Sequence, residues 1–304
     1  MRKSFAVKLL VGSLVSSAFA DTTTAQMPSK KESKDWRNIP IPAAAGDDME
    51  WSLHPVSDDF RYKSKADKKH KKFHKRWIDM YINPWRGPGD TYFNEQNSTT
   101  RDGMLVLHAS PAGDGHKINA GMISSKETVT YPLYLEARAK PSNLTLANGI
   151  WMLSADSTEE IDAMEAYGSD RPEQGWFDQR MHISHHVFVR KPFQDYQPTD
   201  PGSWVYNNGE SWRDDFHTYG VHWKDPWTLD YYIDGKLVRT VAGKDMIDPK
   251  GYTKDTGLSK PMHILLDMEH QDWRDVKPTA EELADPDRTE FLIDWIRVYT
   301  PTKK

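Results

Sequence analysis

Polar and apolar positions along this chain alternate mostly with the two-residue period of a β-strand, and seldom with the 3.6-residue period of a helix. The run Tyr134 to Ala139 reads Tyr, Leu, Glu, Ala, Arg, Ala, which predicts a strand with one polar face. Between Tyr231 and Val238, Asp234-Gly235 separates two runs of aromatic and β-branched residues. That dipeptide supplies the positive φ angles of a tight type I′ turn, so the segment predicts a hairpin. Met262 to Leu266 and the longer Phe291 to Tyr299 predict two further strands. Helical spacing is confined to Thr279–Ala284, one or two turns with Thr279 as N-cap. Many short strands with Gly, Pro and Asp-Gly turns between them predict an all-β fold, a β-jelly-roll sandwich of two curved antiparallel sheets with a cleft on the concave face.

The ends and the charge add boundaries. Arg2 and Lys3 precede the mostly apolar stretch Phe5 to Val15, and Ala18-Phe19-Ala20 fits a small-residue cleavage site. Residues 1–20 therefore read as a signal peptide cleaved near Ala20, and the protein is expected to be secreted, extracellular or periplasmic. The apolar run is too short to span a bilayer, so no membrane association is expected. Residues 21–35 are polar and predicted disordered. One domain is expected from Trp36 to Lys304, as a monomer. A basic run, Lys63 to Arg76, reads as a solvated loop or exposed helix turn before a strand at Trp77. The net charge of −5 speaks against a nucleic-acid partner. Cysteine is absent, which excludes disulfides and thiolate chemistry. Burial must therefore supply the stability, and 12 Trp, 13 Tyr and 10 Phe offer large apolar area, with some rings free to act as flat platforms.

Candidate chemistry concentrates in Glu159-Glu160-Ile161-Asp162-Ala163-Met164-Glu165. On a regular strand Glu160 and Asp162 share a face and Glu165 lies on the other. A β-bulge near Ala163-Met164 absorbs one residue and returns Glu165 to the same face. Acids stacked on one face repel one another, which folding alone does not favour. Two carboxyl groups about 5–5.5 Å apart are what a retaining glycosidase needs, one to attack and one to protonate the leaving oxygen. Mutual repulsion is expected to keep the proton on the acid/base.

This segment resembles the E-I-D-x-x-E signature of glycoside hydrolase family 16 in its bulged form. Asn83 to Gly89, Met181 to Arg190, Asp195 to Asp200, His222 to Trp227 and Ile293 to Tyr299 look like the β-agarase branch of that family. The resemblance implies a secreted endo-hydrolase of the β-1,4 galactosidic bonds of agarose, releasing neoagaro-oligosaccharides, with an agar-type galactan as partner. By match to the signature, Glu160 is the nucleophile, Asp162 its assistant and Glu165 the acid/base. No cofactor is required, and a structural calcium ion away from the cleft is a family option. Two departures stand out. Leu266 to Arg274 resembles an agarase stretch that usually opens with Asn where this chain has Asp267, and that has an acid where this chain has His270.

Other residues have competing readings. Trp85, in a Pro/Gly-rich loop, and Trp151, just before the acid strand, are candidate sugar platforms, whereas Trp223 and Trp295 read as core. Among His182, His185 and His186, strand spacing opposes a shared metal, so no metal is assigned. The resemblance favours His185 as a cleft histidine, with Arg190 and Glu269 as substrate contacts. Salt bridges and core packing are the alternatives for these three. Arg86 or Arg180 in the cleft would favour a sulfated galactan, making the chain a β-porphyranase. A non-catalytic carbohydrate-binding jelly roll is the remaining alternative, against which the intact triad argues.

Overall fold

The computed structural model describes residues 33–62, 71–113 and 117–304. The expected leader, most of the polar segment after it and residues 63–70 of the basic run lie outside the described residues. The fold below is that of the unit Asp35–Lys304.

Strong period-2 patterning becomes two sheets. One runs in the order Lys236–Ala242, Thr228–Ile233, His217–Asp225, Leu133–Lys140, Glu290–Lys303, Met104–Pro111, Ile118–Ala120, Thr91–Phe93, with Met49–Leu53 and Ser98–Arg101 as added strands. The other runs Phe193–Tyr196, Arg180–Arg190, Glu159–Ala166, Ala147–Ser154, Met262–Glu269, Met122–Ser125, Trp77–Ile78, with Trp204–Tyr206 also on Arg180–Arg190. Pairing is antiparallel except between Thr91–Phe93 and Ile118–Ala120. The result is the expected jelly-roll sandwich. Chain neighbours such as Glu159–Ala166 and Arg180–Arg190 pair directly, while Met262–Glu269 crosses over to pair with Ala147–Ser154.

Inward-facing residues of both sheets make one core, which includes Trp77, Leu135, Ile150, Ile161, Ile183, Trp223, Ile264 and Phe291. The hairpin forms as the dipeptide dictates, with φ of 49° at Asp234 and 72° at Gly235. Thr279 caps Ala280–Ala284 in a reciprocal capping box with Glu282. A single helical turn, Phe73–Arg76, leads into Trp77.

The strand Leu133–Lys140 departs from expectation. Its polar residues Glu136 and Arg138 do not face water; they are 2% and 4% exposed. Glu136 accepts hydrogen bonds from Arg297 Nε and from the Tyr134 hydroxyl, each at 2.7 Å. Arg138 donates to Asp294 at 2.9 Å. The N-terminal stretch of this unit lies over this face: Trp36 stacks on Trp295 at 6.4 Å, and the carbonyls of Ile39 and Pro40 accept from Arg297. The Arg297 charge can be buried here because each nitrogen of its guanidinium meets an oxygen.

Removing one member of that pair leaves the other charged and dry. Arg297→Met is expected to lower unfolding stability by about 3–5 kcal/mol, read from the urea midpoint, whereas replacing Glu136 and Arg297 together with Leu and Met is expected to cost less than Arg297→Met alone.

Candidate active site

The strand Glu159–Ala166 carries the acids, and its register shows how they are brought to one face. Against Arg180–Arg190, Glu160 pairs with His186, Asp162 with Ser184 and Glu165 with His182. Three steps on the acid strand therefore match two on its neighbour. Against Ala147–Ser154, Asp162 pairs with Trp151 and Met164 with Ile150, which assigns the extra residue to Ala163. The bulge stands where the five-residue spacing of the glutamates requires it. Glu159 points to the opposite side and is structural: its carboxylate accepts the N–H groups of Ser259 and Lys260 at 2.7 and 2.8 Å.

Glu160, Asp162 and Glu165 open into a cleft of about 740 Å³ on the concave sheet. Their environments differ. Glu165 accepts from the Tyr167 hydroxyl at 2.5 Å and meets His182 Nδ1 at 2.6 Å. Burial alone would raise its pKa, but His182 and Tyr167 outweigh burial and hold it below the usual range. Asp162 is 2% exposed, and its Oδ2 receives no hydrogen bond. Burial, with Glu160 and Glu165 on either side, pushes it well above the usual range, so it keeps a proton. Glu160 is pushed up to about 7 by burial and by Glu165, with the charge of His186 opposing. The direction at Glu165 is opposite to the rise expected from repulsion, because His182 and Tyr167 face it.

The histidines also divide differently from expectation. His185 does not reach the cleft. Strand alternation turns it into the core, where it is fully buried with Nε2 on the carbonyl of Ile247 at 3.0 Å, and burial lowers its pKa to about 3. His182 and His186 line the cleft instead. His186 places Nδ1 2.9 Å from Asp195, with Nε2 at 4.0 Å from Glu160 and 3.9 Å from Asp162. Burial works against a charged ring, but Asp195, Glu160 and Asp162 prevail and raise His186 to about 10. Glu160, Asp162 and His186 lie close enough to surround an ion. His186 Nδ1 faces Asp195, which leaves Nε2 as the ring nitrogen directed toward the two acids.

Two groups of aromatic rings border the acids. Tyr81 lies 4.9 Å from Trp85 and 6.3 Å from Trp151. Tyr167 lies 5.8 Å from Trp204 and 5.4 Å from Trp273. All six line the cleft, and Trp85 and Trp273 are 42% and 58% exposed. Trp223 and Trp295 are core, as expected. Arg190 and Glu269 line the cleft, and Arg190 stacks on Phe188 at 4.3 Å. Arg86 and Arg180 do not: Arg86 lies over Tyr92, and Arg180 is held between Trp176 and Tyr206. His270, at the second departure, is buried behind the cleft, where its Nδ1 accepts the Asp90 N–H at 3.2 Å. Reasoning from sequence passed over Tyr81, Tyr167 and Asp195 as cleft residues, and ranked His185 above His182 and His186. Period-2 alternation carried the signal for the two histidines, since positions 182, 184 and 186 share the face that pairs with the acids.

A two-sheet sandwich with a concave cleft, a bulged acid strand and flanking aromatic rings defines a glycosidase. Residues 51–301 match the family described as "Beta-porphyranase A-D, GH16 domain". The chain is 53% identical over 271 residues to beta-agarase AgaA of Microbulbifer thermotolerans, covering 88% of this chain and 63% of that protein. It is 50% identical over 287 residues to a beta-agarase of Phocaeicola plebeius, covering 88% and 91%. Among solved structures it resembles an inactivated mutant of beta-agarase B in complex with agaro-octaose, at 46% identity and a TM-score of 0.86, over 89% of this chain and all of that one. The chain belongs to glycoside hydrolase family 16, in its β-agarase branch.

The charge on His186 is open to direct measurement. Its ring is expected to stay protonated past about pH 8 by nitrogen-15 NMR, and Asp195→Asn is expected to lower its midpoint by about a unit or more.

Proposed function

We propose that this chain is a secreted, monomeric endo-hydrolase that cleaves the β-1,4 galactosidic bonds of agarose with retention and releases neoagaro-oligosaccharides. The observation that carries this reading is the bulged acid strand, which presents Glu160, Asp162 and Glu165 together between two aromatic borders. In this reading Glu160 attacks the anomeric carbon and Glu165 protonates the departing oxygen. Water then attacks the glycosyl-enzyme, with Glu165 taking its proton. Asp162, between the two glutamates on the same face, assists the nucleophile. A sugar seated over Glu165 removes water from it and favours its protonated form, while the charged His186 beside Glu160 favours the carboxylate there. Substrate binding thus shifts the shared proton toward the group that must donate it. Both steps use carboxyl groups alone and require no cofactor. Export is supported by the leader-like residues 1–20, and no helix of the described residues is long and apolar enough to cross a membrane.

The porphyranase reading draws on the description of the matching family and on Arg190. Among the described residues Arg190 is the only Lys or Arg lining the cleft, and its Nε is already committed to the carbonyl of Ser157. Six carboxyl side chains, Glu160, Asp162, Glu165, Asp195, Asp267 and Glu269, face the same space. That balance suits an uncharged galactan better than a sulfated one.

Sizing the sugars released from agarose and from porphyran is the direct test, and porphyran cleaved in preference to agarose would overturn the reading. Glu160→Gln is expected to lower turnover about a thousandfold or more with the fold intact. Glu165→Ala is expected to regain activity with azide on a substrate bearing a good leaving group, giving a β-configured product by NMR. Trp85→Ala removes one stacking platform and is expected to raise KM on agarose about ten- to a hundredfold, with a smaller fall in kcat.

A further inference from the structure

The cleft is longer than the bond-breaking acids require. Its lining draws on five consecutive strands of the concave sheet, in the order Phe193–Tyr196, Arg180–Arg190, Glu159–Ala166, Ala147–Ser154 and Met262–Glu269. At about 4.8 Å between neighbouring strands this is a span of roughly 19 Å, with the acid strand at its middle. One flank ends at the edge strand Phe193–Tyr196. Apart from Asp195, which holds His186, that strand has no part in the chemistry described above.

Three rings lead from the nucleophile to that edge. His186, paired with Glu160, stacks on Phe188 at 5.2 Å with 15° between the planes, and Phe188 stacks on Phe193 at 6.1 Å and 26°. Phe188 lies opposite Asp195 and Arg190 opposite Phe193, so strand parity puts all four on the cleft face. Arg190 lies over Phe188 at 4.3 Å and donates through Nε to the Ser157 carbonyl, which fixes the inner part of the column. Phe193 is the outermost ring and is 63% exposed, more than any other large apolar side chain among the described residues. A lone exposed Phe is ordinary on a protein surface. This one is held in a stack, faces a cleft, and stands on an edge strand, where exposed apolar side chains invite unwanted pairing. Folding gains little from that placement, whereas a ligand ring that covers it gains apolar contact.

We propose that Phe193, backed by Phe188, is the platform of an outer subsite, which holds a ring of the galactan chain beyond the two rings joined by the broken bond. The proposal rests on the galactan-hydrolase reading. Phe193 stands two strand spacings, roughly 10 Å, from the acid strand, so a ring seated on it takes no part in bond breaking. Such a contact is made equally in the bound substrate and in the transition state. It therefore lowers KM and leaves kcat nearly as it is. The column also explains why the platform is a stacked Phe and not a free one. Phe188 and Arg190 hold the ring at the cleft edge before any sugar arrives, so little side-chain freedom is lost on binding.

Contact is read first, by hydroxyl-radical oxidation and mass spectrometry of the Glu160→Gln protein with and without an agaro-octasaccharide. The sugar is expected to lower oxidation of Phe193 by about half or more, because stacking covers a face of the ring, and to protect Trp85 as well. Kinetics on the same octasaccharide then separate binding from chemistry. Phe193→Ala is expected to raise KM about tenfold with kcat changed by less than about twofold, and Phe193→Trp, which restores a flat ring, to stay within about threefold of the wild-type KM. Thermal melts establish that both variants fold, and the oxidation measurement needs neither of them. Protection of Trp85 with no protection of Phe193 would overturn the proposal. So would a Phe193→Ala protein that loses kcat at unchanged KM, since the ring would then act on the acids through His186. Protection of neither ring, with no sugar released from agarose by the wild type, would instead overturn the reading beneath it.

Discussion

Placing several carboxyl groups in one partly dry cleft is costly, because each charge loses water and meets like charges at close range. Glu160, Asp162, Glu165, Asp267 and Glu269 nonetheless share one face of one sheet. The energetic problem has two available solutions, protonation or a nearby cation, and the cleft uses both. Asp162, Asp267 and Glu269 are pushed up by burial, whereas Glu165 is held low by His182 and Tyr167. His186, itself held charged by Asp195, supplies the positive counterweight for Glu160 and Asp162. The titration behaviour of each group is therefore a property of the cluster.

The scaffold serves that cluster by rigidity. Acids can be kept close only if the backbone that carries them does not yield, and the acid strand lies inside its sheet, paired on both sides. Behind it, Ile161, Ala163 and Met164 pack into the core between the sheets. The bulge spends one residue of that packing side to turn Glu165 into the cleft. Glu159, on the far side, ties the start of the strand to the backbone of Ser259 and Lys260. Each acid of the segment thus has its own task, set by which way the pleat turns it.

What was legible in the sequence depended on local physics. The type I′ hairpin, the capping box at Thr279 and the bulge follow from spacing within a few residues, and all three stand in the structure. What depended on distant partners was not legible. Glu136 and Arg138 look like a solvent face until Arg297, Asp294 and the chain at Ile39–Pro40 close over them. Arg86 sits beside Trp85 in sequence, yet Tyr92 and the carbonyl of Phe93 draw it away from the cleft. His185 was the favoured cleft histidine by resemblance, and strand parity alone would have excluded it, since Glu160 and Glu165 pair with His186 and His182.

The same parity argument bears on what the cleft can hold. Because side chains alternate, the residues reaching the cleft from neighbouring strands form cross-strand rows: His186 beside Glu160, and His182 beside Glu165 beside Gly149 beside Asp267. The second row runs from a histidine through an acid and a bare glycine to a second acid, with Trp151 two residues from the glycine. A glycine in that row opens floor space while Trp151 and Trp204 supply ring-sized apolar surface to either side. Apolar faces and hydrogen-bonding carboxyls fit a ligand whose faces are apolar and whose edges carry hydroxyl groups. An anionic substituent on that ligand would have to sit among carboxyl groups with, among the described residues, Arg190 as the one Lys or Arg beside them and His186 already paired with Asp195. Substrate class is therefore written into the charge balance of the cross-strand rows as much as into the acids that break the bond.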